Sequence, residues 1–162
     1  MRIKKVITGL VLLMLISSGM VVAADYDKGT KALDSGDYKA ALVEFIPLAE
    51  QGDAYAQGDL GYMYELGYGV LKNYKTAVKW YTLAAEQGKA VAQLNLGVMY
   101  VTGSGVLRDN QRAYMWFNLG SYNGSEKAGK AIEKVAKEMT PADISKAQDM
   151  SSRCLESGYT DC

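Results

Sequence analysis

The chain is short of the residue types that chemistry most often recruits. Its 162 residues include no His and only two Cys, which removes the commonest general base and metal ligand and leaves any serine nucleophile without its usual partner. No Ser-x-x-Lys dyad occurs. The pairs Gly67, Gly69 and Gly103, Gly105 have the outline of a phosphate-cradling loop, but neither is directly followed by Lys-Ser or Lys-Thr, so turns with positive φ are a sufficient account of them. Trp80, Trp116, Tyr64, Tyr81 and Tyr100 could stack on a ligand, yet each falls on an apolar helical stripe and reads as core. The residues therefore offer no catalytic set, no metal set and no cofactor site. Two features remain open to function. Cys154 and Cys162 lie eight positions apart at the end of the chain. Lys127, Lys130, Lys134 and Lys137 form a stripe that could meet an acidic partner or lipid headgroups, although the interleaved Glu126, Glu133 and Glu138 favour a solvated outer face.

The charge balance points the same way. Eighteen basic residues offset 18 acidic ones, but Arg2, Lys4 and Lys5 precede every acid; without the first 24 residues the count is 18 − 3 = 15 basic against 18 acidic, or −3. Such a chain lacks the dense basic surface that a nucleic-acid backbone requires, so no nucleic-acid partner is expected.

The opening segment has the layout of a secretory signal. Three basic residues lead into an uncharged apolar run from Val6 to Ala24 that closes on Val21-Val22-Ala23-Ala24, with small residues suited to cleavage after Ala23 or Ala24. The alternative is an uncleaved membrane anchor, since about 17–20 apolar residues can span a bilayer; Gly9, Ser17, Ser18 and Gly19 dilute the run. Export to a periplasmic or extracellular location is the expectation. In an oxidising compartment Cys154 and Cys162 are expected to pair, closing a short loop worth about 2.5 kcal/mol. Two free thiols are the alternative.

What must position any site is a tandem repeat. Displaced by 36, residues 52–84 match 88–120 at 15 of 33 positions, where average composition would give roughly two. In each copy Ala56, Leu60, Met63 and Tyr64, or their equivalents, share one helical face, and a glycine pair breaks the helix. Asn73 or Asp109 then caps a second helix, with Ala77, Trp80, Tyr81, Ala84 and Ala85 recurring at helical spacing until Gly88. Each copy is thus an antiparallel helical hairpin. An earlier hairpin over 25–52 has a shorter turn at Asp34-Ser35-Gly36-Asp37 and carries Pro47 late in its second helix, where a kink is expected. A later pair is expected from Ser125 to Met139 and from Thr140-Pro141 to Gly158. The predicted organisation is 1–24 as signal and 25–162 as a single array with hairpins at about 25–52, 53–88, 89–124 and 125–158.

Ala54-x-Ala56-Gln57-x-x-Leu60-Gly61-x-x-Tyr64-x-x-Gly67-x-Gly69-Val70, followed by Asn73-Tyr74-x-x-Ala77-x-x-Trp80-Tyr81-x-x-Ala84-Ala85-x-x-Gly88, resembles the Sel-one-like repeat. That family is related to the tetratricopeptide repeat. The second copy departs from the pattern at Asn110, Gly120 and Ser121, and the first hairpin is nearer the ordinary tetratricopeptide form. The resemblance implies an all-α fold, a right-handed α-solenoid of about four antiparallel helical hairpins. It also implies that partners lie in a concave groove lined by the first helix of each hairpin. Carried over through Leu60-Gly61 and Leu96-Gly97, this puts Tyr55, Tyr62, Glu65, Leu66, Val91, Leu94, Val98 and Val101 in the groove, a lining suited to an extended peptide or a partner helix. The competing reading is that Val91, Leu94 and Val98 pack against the adjacent hairpin.

The function implied is an exported, non-catalytic adaptor whose partner is a protein or peptide. Two alternatives belong to other classes. A cysteine-rich bacterial branch of the family has been linked to penicillin binding, which would suggest an enzyme acting on cell-wall or lactam substrates; those relatives pair cysteines within repeats, and this chain has none there. An uncleaved anchor would instead make the solenoid an envelope assembly scaffold, the one case in which a membrane is a partner.

Overall fold

The computed structural model describes residues 24–162. The signal expected over residues 1–24 lies outside them except for Ala24. The described residues form eight α-helices and no strand: α1 Tyr26–Asp34, α2 Tyr38–Glu50, α3 Ala54–Leu66, α4 Tyr74–Ala85, α5 Ala90–Thr102, α6 Asn110–Tyr122, α7 Glu126–Ala136 and α8 Pro141–Glu156. Among them no helix is long and apolar enough to cross a membrane. The fold is an all-α repeat solenoid.

The helix starts follow from short polar side chains. Asp53, Asn73, Asp109, Ser125 and Thr140 each accept a backbone N–H of the first turn, satisfying donors that have no intrahelical partner. Lys89, before α5, makes no such bond. The stops of α3 and α5 rest on Gly67 and Gly103, at φ 79° and 70°, a left-handed geometry in which a Cβ is strained. α7 ends at Ala136, short of the Met139 expected from its pattern, because Thr140 and Pro141 already begin the next helix. α2 runs through Pro47 as one helix. Proline deprives the Val43 carbonyl of its intrahelical donor, and Val43 is exposed, so water can serve instead.

From α1 to α7 each helix packs on the next, while α3 also touches α5 and α5 touches α7. These odd-numbered helices therefore form one layer. The last pair differs, since α8 packs chiefly on α6. It runs parallel to that helix, with Gln111 bonded to Asp143, Tyr114 to Gln148 and Asn123 to Tyr159 in ascending order.

Two repeated devices set the spacing. Gly29, Gly61 and Gly97 each receive an aromatic ring from the second helix of their hairpin; a Cβ there would come within 2.5 Å of Phe45, 2.6 Å of Tyr81 and 2.5 Å of Phe117. Glycine is the residue that lets these helices approach so closely. The second device is a buried glutamine. Gln57 Nε2 donates to the Ala49 carbonyl at 3.0 Å and Gln93 Nε2 to the Ala85 carbonyl at 2.9 Å, tying each hairpin to the one before. Their side-chain carbonyls accept from Gln87 and Asn123, themselves 36 residues apart, so the buried amides are satisfied at both ends.

Candidate binding groove

The layer of α1, α3 and α5 leaves a groove of about 540 Å³. Tyr26 from α1, Tyr55, Asp59 and Tyr62 from α3, and Val91 and Asn95 from α5 line it, with Lys89 at the entrance to α5 and Tyr81 and Asn123 reaching in from the second layer. Positions 55, 59 and 62 are spaced four and three apart, which puts them on one face of α3. The floor contains Gly58, Ala54, Ala90 and Ala92, small residues that leave the space open.

The carboxylates of Asp59, in the groove, and of Glu65, behind it, are tied to phenols rather than to opposite charges. Tyr26 Oη donates to Asp59 Oδ2 at 2.8 Å, and Tyr81 Oη donates to Glu65 Oε2 at 2.7 Å. Burial pushes the Asp59 carboxyl above the ordinary range; the Tyr26 bond opposes this, and the nearby charges of Asp53 and Asp34 add to it. Burial and their carboxylate partners raise both phenols as well, so they stay protonated donors at neutral pH. Lys89 Nζ stands 3.6 Å above the centroid of Tyr55. Among the described residues none of Asp59, Glu65 and Lys89 is in a salt bridge. Tyr26 and Tyr55 lie 5.9 Å apart, and Tyr62 meets Tyr68 edge-on at 5.8 Å. The result is an aromatic surface with a carboxylate set into it, able to recognise a ligand by stacking, hydrogen bonding and charge. No group of three His, Cys, Asp or Glu side chains among the described residues could hold a metal ion.

Of the residues expected to line a groove, Tyr55, Tyr62 and Val91 meet in this one. Val98 and Val101 instead border a smaller depression of about 260 Å³ with Phe117, Ala131, Lys134, Val135 and Glu138. Leu94 packs against the core cluster of Ala113, Phe117 and Ala128. Leu66, which is partly exposed, and Glu65, whose carboxylate accepts from Tyr81, line neither depression.

Tyr26, Asp59, Lys89, Asn95 and Asn123 were not expected in the groove. The displacement of 36 already pairs Asp59 with Asn95 and Gln87 with Asn123, and the helical face of Tyr55 and Tyr62 passes through Asp59, so that signal was present for three of them. Tyr26 had none, because the first hairpin is offset from the repeats.

Cys154 and Cys162 are joined by a disulfide in the structure. The tail that carries Cys162 places Tyr159 against Gly88, and its hydroxyl accepts from Asn123 Nδ2 at 2.8 Å at the groove's edge. Trp116 is buried and Trp80 half-buried, both in core clusters. Lys127, Lys130, Lys134 and Lys137 are all exposed.

Known proteins share this architecture. The model of the Sel1 repeat matches residues 54–89 and 90–125. Among solved structures, c5321, a protective antigen present in uropathogenic Escherichia coli strains and displaying an SLR fold, is similar with a TM-score of 0.77 and 30% identity, covering 83% of this chain and 30% of its own. A Sel1 repeat protein from Oxalobacter formigenes is similar with a TM-score of 0.67 and 32% identity, over 70% of this chain and 47% of its own. The chain thus spans less than half the length of either. No curated protein sequence matches it.

Proposed function

Residues 54–125 are two Sel1 repeats, a fold that generally mediates protein–protein interaction, and from that premise we propose that the chain is an exported, non-catalytic adaptor holding an extended segment of a protein partner in its concave groove. The observation that carries this reading is the groove across α1, α3 and α5, where Tyr55 and Val91 stand 60% and 68% exposed beside a half-buried carboxylate. Large apolar side chains left open between satisfied helices are costly unless something covers them, and aromatic residues are favoured at the centres of interfaces. An extended chain can cross three parallel first helices in succession, meeting polar side chains on each.

The periplasmic or secreted location rests on the layout of residues 1–24 and on the cysteine pair at the far end. Sel1-repeat proteins are typically scaffolds without catalysis, and among the described residues the groove lining holds no serine, threonine or cysteine to serve as a nucleophile.

A photoreactive amino acid placed at Val91 in the full chain, expressed in its native envelope, is expected to form a discrete adduct with a partner, while the same group at the exposed Val43 of α2 is not. The uncrosslinked protein should begin at Ala24 or Asp25. Adducts of equal yield from both positions would count against groove binding, and an N-terminus retained at Met1 in the membrane fraction would favour the anchored form.

A further inference from the structure

Resting on the groove reading and going one step past it, we infer that the groove selects a segment bearing a single lysine or arginine side chain, which ion-pairs with Asp59, with an aliphatic side chain over α5.

The carboxylate is set up for such a partner. Its Oδ2 takes the Tyr26 hydroxyl, while Oδ1 has no donor among the described residues, and none of their lysines or arginines pairs with it. A half-buried carboxylate held by one phenol remains under-compensated, and burial already pushes it toward its neutral form. An incoming cation supplies the charge that the protein leaves out.

The surroundings favour a cation over a neutral donor. Tyr26, Tyr55 and Tyr62 bring ring faces and edges to the same stretch of groove, and ring faces attract cations. The chain itself makes the point, since Lys89 holds its ammonium over Tyr55 at 3.6 Å and yet stays out of ion-pair reach of Asp59.

Comparison of the two repeats limits the number of cations. At the displacement of 36, Tyr55, Asp59 and Tyr62 become Val91, Asn95 and Val98. The second register thus has neither the acid nor the rings and suits an aliphatic group. A run of basic residues would gain nothing from it and would approach Lys89, so one basic position is expected.

The test uses the full chain and a labelled decapeptide array in which one position is Lys, Arg, Ala or Glu and the others are randomised. Lys or Arg at one position is expected to bind about tenfold or more tighter than Ala or Glu. Asp59→Asn, which keeps an acceptor for Tyr26, should bring that preference below about twofold, and Asp59→Glu should recover it. Val91→Asp reports on the groove itself and should abolish binding in every series. If Val91→Asp abolishes binding but the array prefers Glu, or shows no charge preference, or keeps its Lys preference in Asp59→Asn, the cation assignment is overturned while the groove stands. If no peptide binds, or Val91→Asp binds as well as the parent chain, the groove reading falls and the cation assignment with it.

Discussion

Asp59 illustrates how a single residue can be placed at a cost to the fold. Its folded-state carboxyl is raised by burial, with Asp53 and Asp34 adding to the effect and Tyr26 opposing it. Below the unfolded value of about 4 both states are protonated and no penalty exists. As pH rises through the folded value, the folded protein must ionise a half-buried group, and stability declines. Asp59→Asn does not titrate and still accepts from Tyr26, so it is expected to unfold at a higher urea concentration than the parent at pH 7, with the two midpoints converging near pH 4. A difference independent of pH would show that the carboxylate charge is not its source. Loss of binding together with gain of stability is what a site maintained for recognition should give.

At the scale of the elements, a ring from each second helix sits against a glycine of the first. A methyl group at Gly97 would come within 2.5 Å of Phe117, which is buried and cannot swing away. Gly97→Ala is therefore expected to destabilise by about 1–3 kcal/mol, as overpacking does, although alanine is the better helix former by about 1 kcal/mol. Gly58 is the internal control, since a Cβ there meets nothing within 4 Å. Gly58→Ala should leave stability unchanged or raise it, as urea unfolding followed by circular dichroism will show. Equal effects at the two positions would mean that helix propensity rather than close approach decides them. α2 makes a related point, because Pro47 is accommodated where Val43 faces water.

Across the whole molecule, the array ends in α8 lying parallel to α6, with the disulfide returning the tail onto the preceding repeats. Cys154 is fully buried in the middle cluster, and Met150, Leu155, Tyr159 and Cys162 pack around it. Tyr159, at φ 68°, bonds Asn123, whose amide in turn donates to Gln93. The bond between cysteines eight residues apart thus secures a path from the tail to the groove's edge. Cys162→Ser is expected to lower stability by about 2.5 kcal/mol on the chain-entropy account. It should also speed hydrogen exchange over residues 157–162 and around Asn123, with α1 and α2 unaffected. Exchange that changes in the tail alone would separate the disulfide from the groove.

The repeat, its period, the helical hairpins and the caps Asn73, Asp109, Ser125 and Thr140 are legible in the order of residues, because periodicity and capping are local properties of the chain. Of the residues named from the repeat, Tyr55, Tyr62 and Val91 line the groove of α1, α3 and α5. Packing between helices turns Leu94 into the core, sets Val98 and Val101 at a separate depression, and carries α8 from α7 to α6. It also brings Tyr26 across to Asp59 and the C-terminal Tyr159 to Asn123. The physical reason is the same in each case. A helical face spans more than one direction, and which side of it is covered depends on how closely neighbouring helices approach. Here that distance is set by rings packed on glycine, between residues 16 to 20 positions apart.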